Sequence, residues 1–369
     1  MKRSFSTFFQ ICLGAVLVSL LAVGCNKTSY KVSATVPGEL NGEWVYLFDA
    51  ITGEPIDSVT VTDGKAVFSG KADSARFVAL VGASYLPVEF FLEPGNISII
   101  SDSNRVSGTK LNDDFYAFAN DKSLRALSEE CENIKLEIYD LEDNDEESQR
   151  AIVERYEQAV KNLQNEVQSR CLEIYENHKK DLLGAYVLTI AAQQFTYDQL
   201  DKILSNADPV VANFPPLVET YKTMKAGQQS QVGQHFIDLI GTDYATGASA
   251  SLASMIDGKI AVVDFWASWC RPCREEISST LIPLYEEYKS KGVEIIGVDV
   301  SDKPDDHDRA VKELGIKYPQ LIDSENLAGE LYGLTTIPQI MLIDRNGTIV
   351  ARDLRGDAIR TEIDKLLAE

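Results

Sequence analysis

The chain has 369 residues, of which 44% are hydrophobic, so it is long enough to bury two or three cores and too apolar for a disordered protein. Its formal charge of -22 disfavours binding to nucleic acid or to a bare anionic membrane. Its six cysteines are too few and too scattered for a disulfide-stapled miniprotein, so each must be explained by its position.

The N terminus has the pattern of an export signal. Lys2 and Arg3 precede an uncharged, largely apolar run from Ile11 to Val23, which is short for a membrane-spanning helix. The run ends at Cys25 in the letters LAVGC, which resemble the lipobox of bacterial lipoproteins. That resemblance implies removal of residues 1–24 and acylation of Cys25. The alternative is an uncleaved anchor helix, because leaders and anchors share the same physics.

Both alternatives place the rest of the chain outside the cytoplasm. The residues after Cys25, from Asn26 to Thr28, contain no acidic cluster that would favour display on the outer surface. We therefore expect a protein of the bacterial cell envelope, attached to the membrane by a lipid anchor and facing the periplasm.

Residues 25–111 are predicted to form a small antiparallel β-domain. Short runs of β-branched and aromatic residues are separated there by turn signals. Asp63-Gly64 is one of these signals, and it predicts a tight hairpin between Thr60–Thr62 and Ala66–Phe68.

Residues 112–228 lack strand signals, and apolar residues at helical spacing predict a helical region. Two long helices are expected on either side of an acidic turn at Glu142 to Glu147, with further helices until Pro215-Pro216 interrupts the pattern. We interpret the acidic turn as a solvated loop, because no rigid spacing of metal ligands accompanies it.

Cys131 and Cys171 lie in this helical region, and two interpretations stay open. They are either small buried hydrophobes or the halves of a structural disulfide, which an oxidising compartment would permit. A simple hairpin that turns near residue 145 would place Cys131 beside about residue 159, too far from Cys171 for a bond. A second redox pair is the least favoured option.

Residues 229–369 contain the pattern that carries chemistry. A buried parallel strand from Lys259 to Trp266 leads into Cys270-Arg271-Pro272-Cys273, and a helix is expected from Pro272 to about Ser290. Two cysteines three residues apart on a first helical turn are close enough to bridge. The order of strand, Cys-x-x-Cys and helix indicates a redox motif.

The remaining pattern predicts a mixed sheet with helices on both faces. The expected elements are strands at Val293 to Val300, Gln339 to Ile343 and Thr348 to Arg352, helices near Arg309 to Leu314 and from Asp357, and a last hairpin turn at Asn346-Gly347.

The letters VDFWA at 263–267 and WCRPC at 269–273 resemble thioredoxins, and residues 229–369 resemble their envelope TlpA and ResA branch. Thr336-Ile337-Pro338 resembles the loop in which the family has a cis-proline facing the active site. The resemblance implies an α/β thioredoxin-like fold and a thiol-disulfide oxidoreductase of the protein-disulfide reductase type. IDS at 56–58, DGK at 63–65 and LEPG at 92–95 resemble an uncharacterised β-domain that often precedes such domains, a match without chemistry.

Cys270 and Cys273 are the candidate redox-active disulfide. Cys270 would lie at the helix N terminus, where unpaired amides and the helix dipole favour a thiolate, so it is the expected attacking residue. Arg271 adds a positive charge with the same effect, and Pro272 occupies the first turn. Cys273, one turn further in and less exposed, would be the resolving thiol.

Asp264 and Glu276 are candidate catalytic carboxylates. The resemblance implies that Asp264 transfers a proton for the resolving cysteine, and the alternative is a strand-end carboxylate that reaches water. Glu276 matches an acid that the TlpA and ResA branch keeps beside its motif, although an acid near a helix start is also ordinary dipole chemistry.

Three residues are expected to line the substrate groove. Trp269 should be partly exposed beside the attacking sulfur, whereas Trp266 is predicted to be core. Ile337 and Pro338 should complete the groove, with the Ile337 backbone pairing to an extended substrate segment.

No cofactor or metal is predicted. A zinc site would need two more ligands, and the three histidines form no pair beside the motif. Covalent haem attachment would need His after Cys273, where Arg274 stands, and a peroxidase would carry its cysteine in a different motif.

We expect a thiol-disulfide oxidoreductase that reduces disulfides of envelope proteins, including the cysteines of apocytochromes, with electrons from a membrane thiol donor. The direction rests on resemblance. Arg271 argues for a disulfide-forming oxidant, because a stabilised Cys270 thiolate makes the couple more oxidising. The alternative from another class is a binding or scaffold lipoprotein whose thioredoxin fold contains the two cysteines but does not use them in catalysis.

Overall fold

The computed structural model describes residues 28–368, apart from 83–84, 140–145, 324 and 326. The predicted leader and Cys25 lie outside the described residues. Among those described, no helix is long and apolar enough to cross a membrane. The chain divides into two compact units, of which one extends to Asn112 without the loop Asp49–Glu54, and the other comprises that loop and Asp113–Glu369.

The N-terminal β-domain has two sheets in its described residues, with strand orders β4-β1-β7-β8 and β3-β2-β5-β6. The strands are β1 Ser29–Thr35, β2 Trp44–Asp49, β3 Pro55–Thr60, β4 Lys65–Lys71, β5 Arg76–Gly82, β6 Tyr85–Leu92, β7 Gly95–Ile100 and β8 Arg105–Ser107. Antiparallel pairing predominates, as expected, while β1 and β7 are parallel. Residues from both sheets share one hydrophobic core.

The Asp63-Gly64 turn forms as predicted, but the strands beside it belong to different sheets. Both residues have positive φ, 51° and 66°, and Thr62 and Lys65 exchange backbone hydrogen bonds of 2.9 and 3.0 Å. β3 then pairs with β2, whereas β4 pairs with β1. The dipeptide fixes the local backbone, but the choice of partner strand depends on side-chain packing elsewhere.

Seven helices follow within the described residues: α1 Lys110–Ala119, α2 Lys122–Tyr139, α3 Glu146–Asn177, α4 Leu182–Ala191, α5 Tyr197–Leu204, α6 Pro209–Ala212 and α7 Pro215–Gln229. α2 and α3 form the predicted pair, and Cys131 packs with Ala159, as the hairpin register requires. Residues 140–145 of the acidic turn lie outside the described residues. Pro215 begins α7 and does not end the helical pattern. A proline is tolerated in a first turn, because the N–H that it lacks would have no partner within the helix there.

The C-terminal domain is built on a sheet of strand order β10-β9-β13-β12-β11-β14-β15. Its strands are β9 Ile240–Asp243, β10 Ser249–Ser251, β11 Ile260–Trp266, β12 Val293–Val300, β13 Gln320–Asp323, β14 Gln339–Ile343 and β15 Ile349–Ala351. Its helices are α8 Leu252–Ile256, α9 Arg271–Glu276, α10 Ile282–Tyr288, α11 Pro304–Leu314, α12 Leu327–Tyr332 and α13 Asp357–Ala368. β11 lies between parallel β12 and antiparallel β14, which confirms the mixed sheet.

Alternation along β11 decides which side chains face the redox motif. Every residue of this strand is buried. Val262 and Trp266 belong to the hydrophobic core that contains Cys273, while Val263 and Phe265 belong to the core on the other face. Because side chains alternate along a strand, Asp264 points to the same face as Cys273.

The helix after the redox motif is not continuous, contrary to the prediction. A π-helical segment, Ile277–Leu281, separates α9 from α10. Pro283 lies in the first turn of α10 and has no N–H to donate to the preceding turn. A wider turn ahead of a proline removes the clash between its ring and the helical carbonyl.

α7 packs closely against α12. Gly333, which follows α12, has a φ of 63°, and a Cβ there would lie 2.3 Å from Gly227 N and 2.4 Å from Thr223 O. Arg352 donates to the Ser230 carbonyl at 2.7 Å and to the Tyr332 carbonyl at 3.3 Å. One half-buried guanidinium therefore satisfies carbonyls at the C-terminal ends of both helices.

Replacing Gly333 by Ala tests this packing. The new methyl group would overlap the α7 backbone at a φ that also disfavours L-residues, so we expect the free energy of unfolding to fall by about 2 kcal/mol or more. Urea denaturation measures the change. Gly227→Ala is the matched control, because a Cβ at Gly227 meets no atom within 4 Å and should leave stability equal or slightly higher. Equal stability of the two variants would contradict the close packing.

Candidate active site

Cys270 caps the N terminus of α9. Its backbone is extended, with φ of -80° and ψ of 101°, and its Sγ accepts a hydrogen bond from Cys273 N–H at 3.2 Å. Pro272 lies in the first turn, where its missing N–H leaves no helical carbonyl unpaired. The amide donor and the positive end of the helix dipole both stabilise negative charge on the sulfur. The geometry therefore favours a thiolate at Cys270.

Cys270 and Cys273 are joined by a disulfide, with their Cα atoms 5.3 Å apart. Cys270 keeps 5% of its surface exposed, whereas Cys273 is fully buried. Cys273 is less exposed than Cys270, as expected, while the attacking role of Cys270 and the resolving role of Cys273 stay predictions.

Cys131 and Cys171 lie outside this site. Both are free and buried, so of the two open interpretations the structure favours small buried hydrophobes. Burial raises the pKa of the Cys171 thiol to about 12. A thiol that stays protonated is a poor nucleophile, which fits a packing role for Cys171.

The loop before β14 lies against the Cys270 sulfur. The Ile337–Pro338 peptide bond is cis, as the resemblance implied, and the Ile337 carbonyl oxygen is 3.7 Å from Cys270 Sγ. Pro338 is buried and Ile337 is half-buried. The Ile337 backbone therefore lies directly beside the Cys270 sulfur, and its role in binding a substrate stays a prediction.

Arg355 is a site residue that the sequence did not reveal. Its guanidinium donates to the Pro338 carbonyl and, at 2.7 Å, to the Leu354 carbonyl. It thus holds the cis-proline loop against the turn before α13. No local pattern marks Arg355, because its partner is a backbone atom from another part of the chain.

Asp264 is a buried acid directed toward the redox motif. Only 1% of its surface is exposed, and neither carboxyl oxygen has a hydrogen-bond partner among the described residues. Burial raises the pKa of Asp264 to about 8, the charge of Arg355 lowers it, and that of Glu276 raises it. The carboxyl can therefore gain or lose a proton near neutral pH.

Glu276 connects α9 to the turn before α13. Its carboxylate accepts a hydrogen bond from Gly356 N–H at 2.8 Å. Its charge also acts on Asp264, so it has both a structural contact and an electrostatic effect in the site. Its assignment as a catalytic residue stays a prediction.

Trp269 and Arg271 are both exposed beside the motif. Trp269 is 66% exposed, in the position expected of a groove residue, while Trp266 is fully buried and donates to Gln320 at 2.9 Å. The Arg271 side chain is 89% exposed and pairs with Glu275 at 2.8 Å. Because Arg271 is solvated and paired, its charge has less influence on Cys270 than the sequence suggested.

Asp302 is a second residue that sequence analysis missed. It accepts hydrogen bonds from Ser268 N at 2.6 Å and Ser268 Oγ at 2.7 Å, and so fixes the turn that leads to Cys270. A signal was present, since Asp302 lies just after β12 and the carboxyl ends of parallel strands meet at one edge of the sheet. Within the described residues, no cluster of three or more acidic, His or Cys side chains could hold a metal.

Comparison with known proteins identifies two regions of the chain. Residues 232–352 match the family model described as the AhpC/TSA family, and residues 30–115 match a domain of unknown function, DUF4369. The thioredoxin domain of a thiol-disulfide oxidoreductase from Bacteroides vulgatus is 32% identical, covers 37% of this chain and 98% of its own, and has a TM-score of 0.35.

Two curated relatives carry the functional comparison. The thiol:disulfide interchange protein HelX of Rhodobacter capsulatus is 41% identical over 120 residues, which are 31% of this chain and 65% of HelX. The thiol-disulfide oxidoreductase ResA of Bacillus thuringiensis is 30% identical over 140 residues, which are 38% of this chain and 79% of ResA.

The Cys270–Cys273 disulfide at the start of α9 and the named relatives indicate the same class of protein, a thioredoxin-like thiol-disulfide oxidoreductase. The expected fold and enzyme class are confirmed. More narrowly, the chain belongs to the ResA family of these enzymes, through its C-terminal α/β domain.

The Asp264→Asn variant tests the buried carboxyl. Because the pKa is about 8 in the folded chain and roughly 3.9 when unfolded, the folded state holds a proton that the unfolded state loses as pH rises. The stability associated with that proton is complete below about pH 4 and is lost as pH approaches 8. We expect the variant to exceed the wild type by about 5 kcal/mol in unfolding free energy at pH 8 and to equal it near pH 4.

Denaturation in urea at both pH values, with both cysteines oxidised, measures this difference. Asp305→Asn, at the exposed start of α11, is the control and should change stability little at either pH. A gap between wild type and Asp264→Asn that does not vary with pH would show that Asp264 titrates normally.

Proposed function

We propose that this protein reduces disulfides of other proteins in the bacterial cell envelope. The observation that carries the proposal is the environment of the Cys270 sulfur. This sulfur accepts a hydrogen bond from the Cys273 amide and lies 3.7 Å from the Ile337 carbonyl oxygen. This arrangement combines a stabilised nucleophile with a backbone edge for an extended chain. The relatives HelX and ResA, named for thiol-disulfide chemistry, support the same reaction class.

The reaction exchanges two thiols for one disulfide. The Cys270 thiolate attacks one sulfur of the substrate disulfide, so that a mixed disulfide forms and the second substrate sulfur leaves as a thiolate. The Cys273 thiolate then attacks Cys270 Sγ and releases the first substrate sulfur. The substrate gains two electrons and two protons, and the protein is left with the Cys270–Cys273 disulfide.

Asp264 is proposed to move the proton that the second step requires. Cys273 is fully buried and must lose its proton before it can attack. Asp264 points to the same face, and its pKa of about 8 lets it accept that proton near neutral pH. Glu276 and Arg355 act on the same carboxyl with opposite charges.

The location is proposed from the leader pattern and from the absence of an acidic cluster after Cys25. Acylation at Cys25 would hold the protein at the membrane, facing the periplasm. Each turnover leaves the protein oxidised, so a dithiol donor in the membrane must return two electrons. Disulfide-containing envelope proteins are the substrates that this location supplies.

The reduction potential tests the direction of the reaction. We expect a value near or below about -270 mV, the thioredoxin range, for the Cys270–Cys273 couple. Trp269 fluorescence in defined thiol buffers reports the couple in a chain that begins at position 25 with Cys25→Ser. A value near about -120 mV would instead identify a disulfide-forming oxidant.

The Cys273→Ala variant separates the enzyme from a scaffold. Without the resolving thiol, mixed disulfides should accumulate on Cys270 in envelope extracts and be visible on non-reducing gels. Cys270→Ala is the control and should trap nothing. Absence of mixed disulfides from the Cys273→Ala protein would favour the scaffold alternative.

A further inference from the structure

The helical region and the cis-proline loop share a packed interface. Gly333 lies against the backbone of α7, and Arg352 joins the C-terminal ends of α7 and α12. The segment from Gly333 to Pro338 therefore begins at α7 and ends at the redox motif. Any structure formed by α7 beside this segment is held in place relative to Cys270.

A cleft of about 490 Å³ lies between the helices and this segment. Its walls include Ala192, Phe195, Pro216, Glu219, Met224 and Thr335. Four of the nine lining residues are apolar, and Glu219 is the one that carries a charge at neutral pH. The other four are uncharged polar residues, Gln193, Thr220, Thr223 and Thr335. The hydrogen bond of 2.6 Å from Tyr221 to Asp201 ties α7 to α5 and so fixes the walls.

The cleft lies near the proposed substrate backbone edge, because Thr335 is one of its lining residues. Thr335 precedes Ile337 by two residues, which at full extension span about 7 Å. The Ile337 carbonyl oxygen is 3.7 Å from Cys270 Sγ. A strand advances about 3.3 Å per residue, so side chains two to four positions from an attacked cysteine would reach the cleft.

We propose that this cleft binds the polypeptide that flanks the substrate cysteine and so gives the enzyme a preference among disulfides. The occupant is an extended segment with apolar side chains, matched to Ala192, Phe195, Pro216 and Met224, and with a basic residue near Glu219. Glu219 already pairs with Lys222 at 3.7 Å on the surface, so the basic residue would replace Lys222 in a weak, solvated pair. The proposal rests on the proposed reduction of protein disulfides and deepens it, because it assigns the helical region to substrate selection.

The test compares two disulfide-linked peptide dimers of equal length. One carries Leu and Lys near its cysteine, and the other carries Asp at the same positions. Stopped-flow Trp269 fluorescence gives the second-order rate constant with which each peptide oxidises the reduced protein. We expect the Leu/Lys peptide to react about tenfold faster, the discrimination that one apolar pocket supplies.

Two variants then probe the cleft, with one matched control. Met224→Glu places a charge in the apolar wall and should slow the Leu/Lys peptide about tenfold. Gln228→Glu introduces the same charge on an exposed position of α7 outside the cleft and should stay within twofold of the wild type. Glu219→Lys, at an exposed position, should slow the Leu/Lys peptide and accelerate the Asp peptide.

A small disulfide, dithiobis(nitrobenzoate), distinguishes the proposed reduction of disulfides from the proposed binding in the cleft. It has no flanking chain, so all four proteins should reduce it equally. Failure of the wild type to reduce it would overturn the proposed function itself. Normal reduction of it, together with equal rates for both peptides or full peptide activity in Met224→Glu and Glu219→Lys, would overturn the cleft alone.

Discussion

The hydrogen bond from the Cys273 amide to the Cys270 sulfur, at the N terminus of α9, is the constraint on which the rest of the site depends. Every residue of β11 is buried, so the end of this strand is fixed, and Asp302 holds the turn that follows it. That turn brings Cys270 to the place where the Cys273 amide meets its sulfur. The nucleophile is thus stabilised by backbone geometry, while the nearby Arg271 is solvated and paired.

The pKa of the buried Asp264 carboxyl depends on residues held by the turn before α13. Arg355 and Gly356 are neighbours in that turn, and they connect respectively to the cis-proline loop and to Glu276. The proton affinity of Asp264 responds to both charges. Substrate contact at the loop and proton transfer behind Cys273 therefore depend on the same few residues.

Local patterns predicted the elements that need only local information. β12, β14 and the start of α13 lie where the sequence placed them, and the Cys-x-x-Cys motif located the redox pair. What escaped prediction depends on distant partners. Arg355 donates to a backbone carbonyl that is distant in sequence, and the strands beside Asp63-Gly64 belong to different sheets. The close packing of α7 requires a glycine at position 333. The π-helical segment at Ile277–Leu281 arises from Pro283, which is a local signal in the sequence.

The shared guanidinium of Arg352 has a consequence for how such enzymes can diverge. Sequence composition separates a helical region from an α/β domain, as if each could be exchanged between relatives as a module. The ends of α7 and α12 instead depend on one cation and on one residue without a side chain. A transplanted α/β domain would keep its cysteines yet lose the α7 backbone that packs against Gly333, so a substitution at this glycine is costly only where the helical region is present.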